Sequence, residues 1–433
     1  MGIKRVVIVA PYFAPSNATS GHRARYFAVH LMKFGWQAKI LSVDPHYYEE
    51  NLDDELEKLI PADLEIIRSQ ALPTRPIRFI GDIGIRSFWW HYQKLCDLAS
   101  KELIDLVYIP IPPNYSALLG YLIFRRFRIP YAIDYIDPWV HPWPGCERLF
   151  SKAWFAYQLN RKLEPIALRH VSLITGVAPG YYEPVLKRYS WLTSCRFLAI
   201  PYGAEEDDFR YLEKYPRPPY LFNPADGGFH IVYAGAMLPR AYSTLEALFR
   251  AIIILRQNNP TLAKKLKFHF IGTGSSPRDP KSFTIRPLAE NYGLLDIISE
   301  YPARIPYLDV LNHLKYASAV LILGSSEPHY APSKIFQAIL SRRPVMALLR
   351  AESTAVDMLH QVNGNSLVTF NSDRPLDCRV EEITEMITKI TQDDYSVRDL
   401  NRDIFSNYSA EAMTKRLAEA FDFIISSQER LND

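Results

Sequence analysis

Hydrophobic and polar positions alternate along this chain with two periods. The β-branched run Arg5-Val-Val-Ile-Val-Ala10 reads as a strand, and it leads through Pro11-Tyr-Phe-Ala-Pro15 and a small-residue loop ending at Gly21 into Arg23 to Phe34, where apolar positions recur with helical spacing. Gly35 suits the helix stop and Ala38 to Val43 is a second strand, so the opening segment predicts a βαβ unit with a right-handed crossover and a parallel sheet. Apolar runs at Leu106 to Ile109, Tyr131 to Ile136, Leu173 to Val177 and Phe197 to Ile200 alternate with helical stretches, as in a doubly wound α/β domain. The stretch Tyr211 to Gly228, with Pro216, Pro218, Pro219 and Pro224, reads as a connection between domains. The pattern then begins again, with strands expected at His230 to Ala234, Lys267 to Ile271, Ser299 to Tyr301, Val320 to Leu323 and Val345 to Leu348, and helices such as Ser243 to Gln257. The expectation is two α/β, Rossmann-like domains, 1–210 and 225–409, facing across a cleft, with a last helix within 410–433 packing back on the first.

Length agrees with two domains, since 433 residues at about 150 per domain give two to three. Lys and Arg total 50 against 47 Asp and Glu, a balance that argues against nonspecific nucleic-acid binding. The longest apolar run near the start, Val6 to Ala10, falls far short of a signal sequence or of the roughly 20 residues that span a bilayer, so a cytoplasmic protein is expected. Cys96, Cys146, Cys195 and Cys378 lie about 50 or more residues apart, which gives no zinc or redox motif and reads as free thiols.

Ligands of open parallel sheets bind beyond the carboxyl ends of the strands, so the loops there carry the candidate chemistry. The loop Asn17-Ala-Thr-Ser-Gly21 precedes a helix whose free amides can hold an anion, with His22 and Arg23 at its start, although an ordinary tight turn has the same signature. In the second half, Pro332-Ser-Lys334 opens a helix after the strand Val320 to Leu323 and a loop containing Glu327, Pro328 and His329. Amides, a hydroxyl and an ammonium together suit a phosphate, and Glu327 suits sugar hydroxyls. Gly235-Ala-Met-Leu-Pro-Arg240 follows another strand and offers a guanidinium, so two cations can converge on a pyrophosphate leaving group. Trp139, His141 and Trp143 form a ring-rich loop suited either to stacking on a sugar or to packing together. Phe88-Trp-Trp90 and Phe124-Arg-Arg-Phe-Arg128 suit either an anionic bilayer or a packed helix with snorkelling cations.

In order and spacing these segments resemble the retaining GT-B glycosyltransferases of family 4, often labelled glycosyltransferase group 1, through nearly the whole chain. The opening strand with its Pro-Tyr-Phe-x-Pro loop, the Gly35-Trp36 pair, Asp134-Tyr-Ile-Asp-Pro-Trp139 and Ile200-Pro-Tyr-Gly-Ala-Glu205 with Asp208-Phe209 are similar to motifs of its first lobe. Tyr233-Ala-Gly235, Phe270-Ile-Gly-Thr-Gly274, Arg304-Ile-Pro-Tyr307 and Pro332-Ser-Lys-Ile-Phe-Gln-Ala338 are similar to its second-lobe loops.

The resemblance implies a GT-B fold and transfer of a sugar from a nucleoside-diphosphate sugar to an acceptor hydroxyl with retention of configuration, in glycan, polysaccharide or glycolipid synthesis. Arg240 and Lys334 would bind the donor diphosphate with Ser333, and the loop from Arg304 through Ile305 to Pro306 would hold the base beside Gly272 and Gly274. Gly21 and Gly235 would allow close approach of the donor. Of the family's two glutamates, the second aligns with Gln337; the first falls at His329, with Glu327 nearby, and both remain candidates for the sugar. The chain lacks the histidine that many relatives place near Ile109-Pro-Ile-Pro-Pro113, which leaves Asp137 as the acid nearest a sugar, glycan or lipid-linked acceptor, with His22, Arg23, Trp139 and His141 around it. No metal or other cofactor is expected, because side-chain cations and amides would carry the leaving charge. Peripheral contact with an anionic membrane is a further expectation. Two alternatives remain open: a nucleotide-sugar epimerase of the same architecture, and a catalytically silent donor-binding subunit.

Overall fold

The apolar runs become the strands of two parallel sheets. The structure, a computed structural model, describes residues 2–75, 81–142, 145–274, 279–327, 332–362, 366–392 and 401–432, which divide into two compact units: residues 1–202 with 410–433, and residues 203–409.

In the first unit the strands are β1 (Lys4–Val9), β2 (Trp36–Val43), β3 (Glu65–Ser69), β4 (Leu106–Ile111), β5 (Tyr131–Tyr135), β6 (Leu173–Gly176) and β7 (Arg196–Ala199). They lie in the order β3-β2-β1-β4-β5-β6-β7, all parallel. Every residue of β4 and β5 is buried, because parallel strands covered by helices on both faces need near-continuous apolar runs. The covering helices are α1 (Thr19–His30), α2 (Ile83–Ser100), α3 (Ala117–Phe127), α4 (Lys152–Leu168) and α5 (Pro179–Arg188). Helix α1 starts four residues before Arg23, and its continuation over Leu31–Phe34 is a tight 3-10 turn closed by Gly35 at φ +80°.

The second unit opens with α6 (Glu206–Lys214) and continues through β8 (Phe229–Ala234), α7 (Tyr242–Asn258), α8 (Pro260–Lys265), β9 (Leu266–Ile271), α9 (Arg286–Asn291), β10 (Ile298–Tyr301), α10 (Tyr307–Tyr316), β11 (Ala319–Leu323), α11 (Lys334–Leu340), β12 (Val345–Arg350), α12 (Thr354–Gln361), β13 (Ser366–Phe370), α13 (Val380–Ile390) and α14 (Arg402–Ser406). Its parallel sheet runs β10-β9-β8-β11-β12-β13, the doubly wound order in which the crossovers change direction between β8 and β11. The core of this unit is Leu245, Leu248, Phe249 and Ile252 of α7 against Ile231, Phe268 and Leu321 of the sheet, with Ile383 and Ile387 of α13 closing it. Helix α15 (Ala410–Asn432) belongs to the first unit: Lys4 Nζ and Trp36 Nε1 both donate to Asp422, at 2.7 and 2.8 Å, and Phe421 meets the rings of Trp36 and Tyr108 edge-on.

The chain passes between units at Tyr202–Gly203, ahead of the proline-rich stretch. Asp208 and Phe209 therefore sit in α6 of the second unit, where Asp208 accepts a 2.8 Å hydrogen bond from the Tyr307 hydroxyl. The stretch that reads as a bare connection is docked: Phe222 stacks on both His230 and His269, with ring centres 4.7 Å away, and Tyr301 donates to the Leu221 carbonyl at 2.8 Å.

Candidate functional site

The change of direction between β8 and β11 sets the loops after these two strands side by side at the carboxyl edge of the second sheet. The β8 loop begins at Gly235, whose φ of +115° is unfavourable for any residue with a Cβ. A methyl group there would stand 2.6 Å from Cε and 2.9 Å from Nζ of Lys334, so the glycine makes room for the lysine. Lys334 Nζ donates to the Tyr233 hydroxyl at 2.7 Å and to the Ala236 carbonyl at 3.4 Å, and lies 4.0 Å from the Tyr233 ring centre. Tyr233 in turn donates to Ala236, at 3.0 Å. Desolvation around the half-buried side chain lowers the Lys334 pKa to about 7.

The same two loops are tied by the Ser326 amide, which donates to the Arg240 carbonyl at 3.1 Å, and by the Arg240 guanidinium, 3.5 Å from Glu327 Oε1. Glu327 is positioned locally: its amide donates to Ser325 Oγ at 3.2 Å. Thr244 of α7 donates to the Gly324 carbonyl at 2.9 Å, which fixes the start of the β11 loop against the β8 side. Ser333 directly precedes α11, and Gln337 lies one turn after Lys334 on the same side of that helix; both are half-buried. His329 and Trp143 lie outside the described residues.

The β9 loop completes the edge. Gly272 holds φ +71°, and its Cβ position lies 3.9 Å from the Cα atoms of both Gly235 and Arg304, which brings three strand-end loops together. At Gly274 an added Cβ would lie 2.9 Å from Pro302, so this loop needs a residue without one. Arg304 is exposed and Ile305 half-buried at the mouth of α10. Sequence reasoning missed the residue that anchors this loop: Glu300 at the end of β10 accepts from the Thr273 hydroxyl (2.7 Å) and from the amides of Thr284 (2.9 Å), Ile285 (3.0 Å) and Arg286 (2.6 Å). A glutamate in a strand-end pattern carries no sequence signal for such a role, because its partners are mostly backbone amides.

In the first unit the expected acceptor residues separate. Gly21 lies in the first turn of α1, where a Cβ would come 3.1 Å from the Tyr12 carbonyl, and His22 pairs with Asn17 Oδ1 at 2.8 Å. Arg23 corrects the expectation that it meets an acceptor: it is wholly buried, bridged through Nε and Nη2 to Asp134, and donates to the carbonyls of Ile200 (2.9 Å) and Pro201 (3.1 Å). Burial opposes the Arg23 charge, but the Asp134 carboxylate outweighs it and raises the guanidinium above its ordinary pKa. Trp139 is likewise buried, edge-on to Tyr115, so its ring is a packing element and not a platform for a sugar. Asp137, three residues past Asp134 and beyond the end of β5, is exposed, and His141 Nδ1 lies 2.8 Å from the Pro138 carbonyl. The Asp-Tyr-Ile-Asp motif thus divides, one carboxylate holding the fold and the other facing solvent. Trp89, Arg125, Arg126 and Arg128 are exposed, while Phe124 stacks on His170 with ring centres 4.8 Å apart. No helix among the described residues is long and apolar enough to cross a membrane.

No family model and no curated protein matches the sequence. Solved structures match along the whole chain. The α,α-trehalose 6-phosphate synthase of Burkholderia multivorans aligns with a TM-score of 0.65 at 10% identity, covering 100% of this chain and 99% of its own. HepE of Anabaena, solved with UDP and glucose, gives 0.60 at 13% (97% and 99%), and the sucrose-phosphate synthase of Thermosynechococcus elongatus gives 0.59 at 13% (99% and 98%). At such identities the likeness is one of architecture, and the chain has the fold of these proteins: two α/β units built on parallel sheets of seven and six strands, the GT-B fold.

Proposed function

We propose that the chain is a glycosyltransferase that moves a sugar from a nucleoside-diphosphate sugar to an acceptor hydroxyl with retention of configuration. The observation that carries this reading is Lys334, an ammonium with no carboxylate partner among the described residues, lodged against Gly235 at the point where the second sheet changes direction and beside the loop of Arg240. A diphosphate seated there would restore the Lys334 charge and meet a second cation from Arg240. The neighbours named above support the reading through their own ligands, since HepE was solved with UDP and glucose.

On this reading Lys334 and Arg240 stabilise the negative charge that grows on the leaving diphosphate, and Ser333 adds a hydrogen bond. Glu327, held by Ser325, accepts from hydroxyls of the transferred sugar, and Gln337 reaches the ribose. The loop of Gly272, Gly274 and Arg304, anchored by Glu300, receives the base. In the first unit the exposed Asp137 serves the acceptor, with His22 and His141 beside it. Side-chain cations take the place of a metal in this scheme, so chelation should leave turnover unchanged.

The test is release of nucleoside diphosphate from UDP-, GDP-, ADP- and dTDP-sugars, with the product's anomeric configuration read by NMR. Turnover that Lys334→Ala abolishes supports the proposal. Nucleotide-sugar isomerised with no transfer would replace it with an epimerase.

A further inference from the structure

We propose that the outer face of α4, with the turn that precedes it, docks on an anionic lipid bilayer. Helix α4 is amphipathic in the reverse of the usual sense. Phe155, Leu159, Lys162, Ile166 and Arg169 follow one another at steps of four and three residues, which sets them in a single stripe along the helix. That stripe is exposed, whereas Asn160, Glu164, Ala167 and Leu168 on the opposite side are buried. The polar residues Asn160 and Glu164 thus face the protein, where Glu164 accepts from Tyr135, Arg188 and Tyr189, while Phe, Leu and Ile face water.

The turn before α4 extends the apolar surface. Leu149 and Phe150 are exposed, Phe150 by 75% and Phe155 by 55%, and their neighbourhood is a packed aromatic group: Phe150 to Trp154 is 5.6 Å between ring centres, and Trp154 to Phe155 is 5.0 Å. The turn is rigidly attached, since Ser151 Oγ donates to the Gly145 carbonyl at 2.8 Å and accepts from the Trp154 amide at 3.0 Å. Five large apolar side chains on one continuous run are more than a scatter of exposed hydrophobes.

Charge identifies the occupant. Arg148, Lys152, Lys162 and Arg169 surround the apolar residues, all exposed, and none is in an ion pair among the described residues. Helix α3, which packs on α4, adds the exposed Arg125, Arg126 and Arg128. Glu147 is the one exposed acid between residues 145 and 170, and its carboxylate is taken by the Gly145 amide, at 2.9 Å. A twofold contact with a second copy would set this basic surface against itself, and protein interfaces deplete lysine from their centres. A bilayer with anionic headgroups satisfies both features, with the rings in the acyl boundary and the cations among the phosphates. This inference stands apart from the transferase reading and would hold for a chain of the same fold with any activity.

The test is co-sedimentation of the full chain with vesicles of phosphatidylcholine alone, and of phosphatidylcholine and phosphatidylglycerol in equal parts. Binding is expected to the anionic vesicles only and to weaken with salt. Lys152→Gln with Lys162→Gln and Arg169→Gln should lower it by roughly a hundredfold, at about fivefold per cation, and Phe150→Ser with Phe155→Ser by about tenfold or more. All five positions are exposed, so an unchanged circular-dichroism spectrum is expected and is checked first. Wild-type protein that stays in the supernatant, or binds equally as either variant, overturns the proposal. So does a dimer in sedimentation velocity that the double phenylalanine variant dissociates, which would make a second copy the occupant.

Discussion

Nucleoside diphosphate binding should be linked to proton uptake at Lys334. In the free protein, desolvation, with no anionic partner among the described residues, holds this ammonium's pKa at about 7, so near neutrality about half the molecules carry a neutral amine. A diphosphate beside Nζ favours the charged form and raises the pKa, so the complex binds more protons than the free protein. Affinity is then greatest below the free pKa and falls as pH rises above it, up to the pKa of the complex. If the complex stays protonated throughout, affinity should drop about fivefold from pH 7 to pH 8 and roughly fiftyfold by pH 9. Isothermal titration in two buffers of different ionisation enthalpy reads the uptake directly, with about half a proton taken up per nucleotide expected near pH 7. Lys334→Ala should weaken binding by about 1.5–3 kcal/mol, some ten- to hundredfold or more, and abolish the uptake. A pH profile that is identical in wild type and Lys334→Ala would refute the assignment of the cation.

Gly235→Ala should leave the protein folded yet impair nucleotide binding, because the new methyl would stand 2.6 Å from Lys334 Cε and displace the lysine, and the backbone conformation would cost about 1–3 kcal/mol; titration beside a melting curve separates the two effects. Asp134→Ala should cost about 3–5 kcal/mol of stability in urea unfolding, since it strands the wholly buried Arg23 charge, and a loss below about 1 kcal/mol would contradict the pair's structural role. The docked proline-rich stretch should loosen in acid. His269 is held neutral, its pKa pushed by desolvation to about 3, with His230, His313 and Lys267 adding repulsion against Asp226. Its stabilising effect is complete above the unfolded value of about 6.5 and fades as pH falls, by about 2 kcal/mol near pH 5, so His269→Gln should flatten the acid limb of the stability profile.

Strands that are buried on both faces were legible in the sequence. The runs of β1, β4, β5, β8, β9, β11 and β12 are mostly apolar, broken by single polar residues such as Asp134 and His269, and each lies where its pattern put it to within about two residues. Of the four edge strands, β7 and β10 were read from the sequence and β3 and β13 were not: in Glu65-Ile-Ile-Arg-Ser69 and Ser366-Leu-Val-Thr-Phe370 only short apolar pairs stand among polar residues. The strand-end loops of the second unit were legible for a related reason: a positive φ at Gly235 and Gly272 needs glycine, and glycine is visible in sequence. Contacts between distant polar residues were not. Arg23 and Asp134 are 111 positions apart, and nothing in either neighbourhood distinguishes a buried ion pair from two surface charges. For the same reason Glu300 gave no sign of the amides it holds, and the reversed amphipathicity of α4 shows only once its buried side is known.

The most direct test of the account is a thermal-shift screen of the purified chain against UDP, GDP, ADP, dTDP and CMP and their common sugar conjugates, run in parallel on wild type and Lys334→Ala. A ligand at about 100 times its dissociation constant stabilises the folded state by about 2.7 kcal/mol, enough to move the midpoint by several degrees. The account expects one nucleoside diphosphate to raise the wild-type midpoint and, at the same concentration, to raise that of Lys334→Ala by about half as much or less. No shift with any nucleotide, or the same shift in both proteins, would contradict a donor site built on Lys334.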